Sequence, residues 1–199
     1  MKNKLLKWTV LFLTFSITLC FFIANQCEKQ QPQEEIEKIV KKTEFEKLNE
    51  KLNEKLNNTV IADISYQDSE NEMYLLSNLV LKHPILIFRY SELNCNTCYE
   101  SELALLQRVF TDDDINRVII FCSYQIRNHF TVFKKINQIK IPVYRIPQKT
   151  FDWLIEDYAS PYYFILHPDM RTTNFYIPDK VFPDLNVKYL KEMKQLLSD

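Results

Sequence analysis

The sequence predicts an α/β domain over residues 60–199, with a central mixed sheet flanked by helices. Short apolar runs rich in Ile, Val, Phe and Tyr alternate with amphipathic stretches, which is the pattern of strands that alternate with helices. Near the C-terminus, two apolar runs are joined by the turn sequence Pro168-Asp169, which predicts an antiparallel pair. The 199 residues include no glycine, so the turns must rely on Asn, Asp and Pro.

The elements of this domain follow from the spacing of its apolar residues. Continuous apolar runs predict buried strands, and apolar residues at three- and four-residue intervals predict helices. The predicted strands are 83–90, 117–124, 141–146, 162–166 and 172–177. The predicted helices are 98–110, 126–138, a short one at 151–158, and 187–197. The alternating order predicts parallel pairing of the first strands.

The N-terminal segment has the features of a membrane anchor. Lysines at positions 2, 4 and 7 precede the uncharged apolar stretch 8–24, which is near the lower length limit for a helix that spans a bilayer. The lysines favour a cytoplasmic N-terminus, which would place the rest of the chain outside the cytoplasm. We expect residues 1–27 to be an uncleaved signal anchor. A lipoprotein acylated at Cys27 and a cleaved secretory peptide are the alternatives.

Residues 28–58 predict a charged helical stalk between the anchor and the domain. The stretch is rich in Glu and Lys, and its apolar residues lie at helical spacings. They are Ile36, Ile39, Val40, Phe45, Leu48, Leu52 and Leu56. The stalk either stays solvated and lifts the domain away from the membrane, or forms a short coiled coil that dimerises the protein. Lys55 interrupts the apolar seam that a coiled coil needs.

Composition excludes several classes of function. The formal net charge is −1, so no overall positive field recruits nucleic acid. The absence of glycine excludes the glycine-rich phosphate loops and the dinucleotide-binding fingerprint. Five cysteines are too few to staple a domain of this length. Cys122 lies inside an apolar run and is predicted to be a buried, inert thiol.

The cysteines with a chemical role are predicted to be Cys95 and Cys98. The motif Cys95-Asn96-Thr97-Cys98 follows the apolar run 85–88 and opens a helical stretch. At the start of a helix, free N–H groups and the helix dipole stabilise a thiolate, which is the nucleophile in disulfide exchange. The second thiol is placed to resolve the mixed disulfide that the first one forms.

This order of elements, with Cys-x-x-Cys after the first central strand, resembles the thioredoxin-like fold. Together with the N-terminal anchor it is similar to the exported, membrane-attached thiol-disulfide oxidoreductases of the TlpA/ResA kind. Two motifs in residues 60–199 carry the resemblance. The first is Phe88-Arg89-Tyr90-Ser91-Glu92-Leu93-Asn94-Cys95-Asn96-Thr97-Cys98, and the second is Ser160-Pro161-Tyr162-Tyr163-Phe164-Ile165-Leu166. The resemblance implies a cis proline at Pro161 and a Ser160 backbone that pairs with a substrate strand.

The sequence departs from the family pattern around the first cysteine. Arg89 stands six residues before it, where family members often carry a buried acid. A buried guanidinium needs a partner, for which Glu92, Glu100 and Glu102 are the alternatives, and it would lower the pKa of a nearby thiol. Asn94, a predicted substrate contact, replaces the usual aromatic residue.

The dipeptide Asn96-Thr97 between the cysteines lacks the family's usual proline. Because this pair tunes the redox potential in the family, the direction of exchange stays open between reductase and oxidase.

The expected function is that of a membrane-tethered thiol-disulfide oxidoreductase that reduces disulfides of exported proteins. Cys95 is the expected nucleophile and Cys98 the resolving thiol. The redox-active disulfide between them is the only group required, with no metal or separate cofactor. The expected partners are protein thiols and disulfides and a membrane electron donor. The expected location is the bacterial inner membrane, with one membrane pass and the domain facing the periplasm or the cell exterior.

Two other functions fit the same fold. A copper-binding assembly factor would use the two thiolates with His167 or His129 as a third ligand. However, related copper carriers usually space their cysteines by three residues. A non-catalytic interaction module would use the Cys95–Cys98 bond only to lock a loop. Such a bond should be buried and resistant to mild reductant.

Overall fold

The structure is a computed structural model that describes residues 16, 18, 19, 35–93, 96–111, 114–157 and 160–198. The side chains of residues 96–98, 127 and 128 are not described. The chain divides into two compact units, residues 1–47 and 48–199. The predicted anchor lies outside the described residues, except for three helical ones. None of the helices within the described ranges has both the length and the apolar character needed to cross a bilayer.

The helices and strands are numbered along the described chain. The helices are α1 (35–56), α2 (Asn96–Val109), α3 (Arg127–Ile136) and α4 (Pro183–Ser198). The strands are β1 (Thr59–Val60), β2 (Ser65–Gln67), β3 (Met73–Leu75), β4 (Ile85–Ser91), β5 (Val118–Ser123), β6 (Val143–Arg145), β7 (Tyr162–Leu166) and β8 (Arg171–Tyr176). Short 3-10 turns lie at Leu76–Asn78, Ile115–Arg117 and Leu154–Asp157.

All of these strands form one mixed sheet in the order β1-β8-β7-β4-β5-β6-β2-β3. The neighbours β4, β5 and β6 run parallel, whereas β7 pairs antiparallel with both β4 and β8. The parallel pairs are joined through α2 and α3, as parallel strands require a crossover connection. The predicted α/β class and mixed sheet are therefore confirmed.

One face of the sheet is covered by helices, and aromatic side chains make the contact. On β4, the ring of Phe88 stacks on Tyr163 of β7 at 4.6 Å. Tyr90, two residues further on, contacts Tyr99 of α2 and Phe133 of α3 at 5.0 and 5.2 Å. Residues two apart on a strand share a face, so this is the helix face of the sheet.

The opposite face is covered mainly by short and irregular segments, and we call it the loop face. Ile85 and Ile87 of β4 point into its core. Trp153 lies 5.2 Å from Phe164 of β7 and 5.0 Å from Phe175 of β8, measured between ring centroids. Burying a large apolar side chain stabilises the fold by about 1.5–3 kcal/mol. The segment before β7 therefore covers this part of the sheet, although most of it is not helical.

The end of α1 also belongs to the loop face. Leu56 is 7% exposed and lies within this core, and Leu52 packs against it. Asn49 accepts a hydrogen bond from the backbone N–H of Ile177 at 2.7 Å, and Asn53 donates one to the carbonyl of Phe175 at 2.5 Å. The last turns of the predicted stalk are therefore part of the second unit, which begins at residue 48.

The sequence located most long elements and missed most short ones. Strands β4, β5 and β7 and helices α2 and α3 lie within about two residues of their predicted bounds. The predicted short helix at 151–158 is confirmed only in part, as the 3-10 turn Leu154–Asp157; the three residues before this turn are not helical, and Phe151 and Trp153 are buried. Helix α4 begins four residues earlier than predicted, at Pro183, a residue favoured in the first turn of a helix.

Without glycine, the chain reverses direction with side chains in the left-handed region of backbone space. Among the residues that the structure describes, six non-glycine ones have positive φ angles between 47° and 72°. They are Asn58, Asn71, Gln138, Lys149, Met170 and Asn174. Half of them are asparagine, which tolerates this conformation better than most residues.

Candidate functional site

The predicted redox motif lies where β4 gives way to α2. Helix α2 begins at Asn96, so Thr97 and Cys98 belong to its first turn. Asn94 and Cys95 lie outside the described residues. The free N–H groups of the first turn of a 14-residue helix are thus beside the motif, as the proposed chemistry requires.

The second motif, Ser160-Pro161, lies at the same end of the sheet. Strand β7 is antiparallel to β4, and Tyr162 pairs with Arg89, two residues before the end of β4. Pro161 is buried and Ser160 is half-buried. Ser160 lines a narrow crevice together with Ser91, the last residue of β4. The fold therefore brings the two predicted motifs to one edge of the sheet.

The expectation of a cis proline is wrong for this structure. No cis peptide bond occurs among the described residues, and these include both Ser160 and Pro161. The trans form of an X–Pro bond is the more stable one by about 0.5–1 kcal/mol.

Arg89 lies at the base of the crevice and is fully paired. Its Nε and one terminal nitrogen donate to the two carboxylate oxygens of Glu156, at 2.9 and 3.0 Å. It also donates to the carbonyl of Tyr90 at 2.5 Å and to the hydroxyl of Ser123 at 2.8 Å. The side chains of Arg89 and Glu156 are only 2% and 4% exposed. This is a buried, bidentate ion pair.

None of the three predicted partners of Arg89 is its partner. Glu92 accepts a hydrogen bond from the backbone N–H of Gln125 at 2.7 Å, Glu100 is exposed, and Glu102 lies on the helix face of the sheet. Residues that alternate along a strand point to opposite faces, and Arg89 points to the loop face, where Glu156 lies. Glu156 compensates the guanidinium charge, which reduces the effect on a nearby thiol that the sequence suggested.

Glu156 gathers further donors around the pair. Its carboxylate accepts hydrogen bonds from the hydroxyl of Tyr162 and from the backbone N–H of Lys149, the latter at 3.1 Å. Burial and the adjacent carboxylate raise the pKa of Tyr162 well above its usual range, so its hydroxyl stays protonated and available as a donor. These contacts fix the 3-10 turn that carries Glu156 against the end of β4.

The helix face has a second buried carboxyl, Glu102 of α2. It accepts hydrogen bonds from the hydroxyl of Tyr163 and the side-chain amide of Asn186, both at 2.8 Å. Asn186 in turn accepts one from the hydroxyl of Tyr176 at 2.8 Å. Burial raises the pKa of Glu102, and the two hydrogen bonds oppose this effect in part. The network ties α2 to β7, β8 and α4.

Sequence reasoning missed Glu156 and the network around Glu102. The signal for Glu156 is weak, because an acid beside the apolar Ile155 also suits an exposed turn. The signal for Glu102 is clearer: it shares a helix face with Leu103 and Leu106, which are 2% and 0% exposed. An acid among core positions of an amphipathic helix indicates a buried partner.

Cys122 has the environment predicted for it. It is 0% exposed, and its thiol donates to the carbonyl of Tyr144 at 3.3 Å. Burial raises the pKa of the thiol to about 12, so it stays protonated at neutral pH.

The two histidines of the copper alternative lie at opposite ends of the sheet. His167 follows β7 at the end away from the Cys-x-x-Cys motif, and its Nε2 is 2.8 Å from the hydroxyl of Thr173. It is therefore wrongly placed to complete a site with the two cysteines. His129 is at the motif's end, and its Nδ1 is 3.7 Å from Glu92. Within the described ranges, no three His, Cys, Asp or Glu side chains are grouped so as to hold a metal.

No family model and no curated protein matches this sequence. Solved structures do match. A thiol:disulfide interchange protein from Bacteroides sp. superposes with a TM-score of 0.55 at 9% identity, over 72% of this chain and 91% of that one. A candidate thiol:disulfide interchange protein DsbE from Chlorobium tepidum also gives 0.55, at 10% identity over 70% of this chain and 95% of that one.

A third match is the peroxidoxin BcpB from Mycobacterium tuberculosis, with a TM-score of 0.50 at 14% identity, over 69% of this chain and 97% of that one. At sequence identities this low, structural similarity shows the fold alone. The chain therefore has the thioredoxin-like α/β fold, and its structural neighbours are thiol-disulfide oxidoreductases and a peroxidoxin.

Proposed function

We propose that this protein is a thiol-disulfide oxidoreductase whose redox-active pair is Cys95 and Cys98. One observation carries the proposal: the Cys-x-x-Cys motif stands at the junction of β4 and α2 in a thioredoxin-like fold, with Cys98 in the first turn of the helix. That position supplies unpaired backbone N–H groups and the positive end of a helix dipole, which favour the reactive thiolate.

In the proposed cycle the Cys95 thiolate attacks one sulfur of a substrate disulfide. A mixed disulfide forms, and the other substrate sulfur leaves as a thiolate. The Cys98 thiolate then attacks the sulfur of Cys95, which releases the second substrate thiolate and leaves a Cys95–Cys98 disulfide. Two electrons pass to the substrate. A membrane electron donor that reduces the Cys95–Cys98 disulfide closes the cycle.

The surrounding residues would position the substrate, and the N-terminus of α2 would stabilise the thiolate. The half-buried Ser160 at the start of β7 is close enough to the end of β4 to line the same crevice, which supports a role in holding an extended substrate segment. Asn94, Asn96 and Thr97 would contact the substrate beside the nucleophile. Because Glu156 balances the charge of Arg89, we assign the lowering of the thiol pKa to the helix N-terminus.

We further propose that the protein is membrane-tethered through residues 1–27 and acts on exported proteins as a reductase. The lysines and the apolar stretch 8–24 support the tether, and an anchored domain outside the cytoplasm is suited to electrons from a membrane donor. We separately propose that residues 28–47 of the stalk dimerise the protein. In support, Ile36, Ile39 and Val40 are 50–62% exposed on α1.

The test uses the full-length protein and three cysteine variants. We expect Cys95→Ser to abolish disulfide reduction and Cys98→Ser to accumulate a mixed disulfide with the substrate, visible by mass spectrometry. The control is Cys122→Ala, which removes the buried thiol and should retain turnover. Full activity of Cys95→Ser would refute the assigned nucleophile.

Thiol trapping at fixed glutathione ratios gives the redox potential of the pair. A pair that cycles at none of these ratios would leave the non-catalytic interaction module as the better interpretation.

A further inference from the structure

A pocket of about 610 Å³ opens beside β2 and the segments that follow β5 and β6. We call it the basic pocket. Its lining includes Gln67, Tyr124, Gln125, Arg145 and Lys149. Its volume is in the range of pockets that bind ligands. It also lies at the carboxyl ends of parallel strands, which is where open α/β sheets bind their ligands.

The charge of the basic pocket comes from Arg145. This residue ends β6 and pairs in register with Gln67 of β2, whose side-chain oxygen accepts hydrogen bonds from Nε at 3.0 Å and from a terminal nitrogen. The amide oxygen is neutral, so it orients the guanidinium without balancing its charge. The ion pairs between described residues do not include Arg145, and the lining has no acid. Lys149, the other cation, pairs with Asp157.

Several contacts connect the basic pocket to the redox motif. Tyr124 forms one wall, and its ring lies 6.2 Å from Tyr90, which stacks on Tyr99, the residue after Cys98. Gln125, another lining residue, has its backbone N–H bound to Glu92, three residues before Cys95. The pocket thus adjoins the loop between β4 and α2, where a substrate would be held.

Two exposed apolar residues, adjacent in sequence to the motif and to the pocket lining, favour a polypeptide. Leu93 and Ile126 are 60% and 53% exposed, although both are apolar. Leu93 lies two residues from Cys95, and Ile126 follows Gln125 of the pocket. Exposed apolar side chains together with the fixed cation of Arg145 suit a chain segment that carries both apolar and acidic side chains.

We infer that the basic pocket binds the substrate polypeptide through Arg145. The guanidinium would bind the carboxylate of an acidic residue that flanks the substrate's cysteine. This inference rests on the proposed function, because it names the substrate class of the same site. A guanidinium held in place by Gln67 loses little conformational freedom when it binds a carboxylate with two parallel hydrogen bonds. The pocket would thus select disulfides in acidic sequence contexts.

The test measures binding without redox chemistry. The full-length protein with Cys95→Ser and Cys98→Ser is titrated with the cysteine-free peptide acetyl-Ala-Glu-Leu-Ser-Leu-Glu-Ala-amide. It is titrated separately with the same peptide carrying Gln for Glu, and with succinate alone. We expect the acidic peptide to bind at least about tenfold more tightly than the neutral one, because hydrogen bonds between charged groups are roughly twice as strong as neutral ones.

Arg145→Gln, added to this background, should reduce the preference for the acidic peptide to less than about twofold. Arg145→Lys should restore part of it, because it keeps the charge and loses the planar fork. The matched control is Arg108→Gln, which removes an exposed arginine of α2 outside the pocket and should keep the preference. If Arg145→Gln does not fold, Gln67→Leu provides a second test, since it frees the guanidinium and should weaken the preference.

Each result bears on one claim. An unchanged preference in Arg145→Gln would overturn the role of Arg145. Succinate binding as tightly as the acidic peptide would overturn the assignment to a polypeptide. A preference for acidic peptides in a protein whose cysteines do not cycle would refute the proposed redox function while leaving the pocket's role intact.

Discussion

The two faces of the central sheet bury a carboxyl group in different ways. On the loop face, Glu156 receives a bidentate ion pair from Arg89. On the helix face, Glu102 receives only the neutral donors of Tyr163 and Asn186. Burial of the two carboxyls is similar, since both residues' side chains are well enclosed. The two faces therefore accommodate a buried carboxyl differently. On the loop face Arg89 supplies a counter-charge to Glu156, whereas on the helix face the pKa of Glu102 is raised.

The difference predicts opposite weaknesses. Removal of Arg89 from the loop face leaves the Glu156 carboxylate buried without its counter-charge. A buried charge without its partner is costly. On the helix face, the carboxyl is stable when protonated and becomes costly when pH rises. Four sets of variants distinguish the two faces of the sheet, three through the buried carboxyls and one through apolar burial, from the largest expected effect to the smallest.

Arg89→Leu should lower the free energy of unfolding by about 3–5 kcal/mol, because Glu156 is left buried without its counter-charge. Urea unfolding monitored by circular dichroism measures the loss. The control is the double variant Arg89→Leu with Glu156→Leu, which should recover most of it. A loss below about 1 kcal/mol in Arg89→Leu would show that the pair contributes little beyond its desolvation cost.

Leu56→Ala should lower the free energy of unfolding by about 2–4 kcal/mol, because Leu56 is 7% exposed within the loop-face core. The matched control on the same helix is Leu48→Ala. Leu48 is 51% exposed, so its change should stay within about 0.5 kcal/mol. Equal losses in the two variants would contradict the finding that the end of α1 covers this face.

Tyr163→Phe should cost about 1–2 kcal/mol, because Glu102 loses one of its two donors and keeps its burial. The same change should raise the pKa of Glu102 further. A double-mutant cycle with Glu102→Gln measures the coupling between the two side chains, and a coupling near zero would mean that the hydrogen bond does not stabilise the helix face.

Glu102→Gln should have a small effect at low pH and become relatively more stable as pH rises. The pKa of Glu102 is raised above its usual value of 4.5, so the folded state binds the proton more tightly than the unfolded state. Its contribution is present in full below 4.5 and is lost as pH rises from there through the raised folded pKa. Since Gln does not titrate, the wild type should lose stability relative to the variant over this range.

Unfolding of both proteins between pH 4 and pH 8 measures this difference. A constant difference across the range would show that Glu102 titrates as an ordinary carboxyl.

The sequence predicted the central strands of the sheet and missed the short strands at its two edges. Strands β4, β5 and β7 are apolar runs buried on both faces, and such runs stand out in a sequence. Strands β1, β2 and β3 have two or three residues each, and five of these eight residues are exposed. Segments so short have no measurable periodicity. They become strands because the neighbouring strand offers unpaired N–H and C=O groups.

The candidate site was predictable to a similar degree. The spacing of Cys95 and Cys98 and the position of Ser160-Pro161 are sequence features, and the topology brings the two segments to one edge. The partner of Arg89 was not predictable, because Glu156 lies 67 residues away and reaches it only when the chain returns across the loop face. Acids closer in sequence were the natural choices, but strand alternation directs Arg89 to the loop face, away from Glu102 on the helix face.

Three asparagines with a left-handed backbone, two in turns and Asn174 within β8, bear on the chemical ageing of this protein. Asparagine deamidates when the backbone nitrogen of the following residue attacks its side-chain carbonyl, and a following glycine leaves that nitrogen most accessible. This chain has no glycine, so every turn asparagine is followed by a residue with a Cβ. The residues after Asn58, Asn71 and Asn174 are Thr59, Glu72 and Phe175. These three asparagines should therefore resist spontaneous conversion to aspartate and isoaspartate.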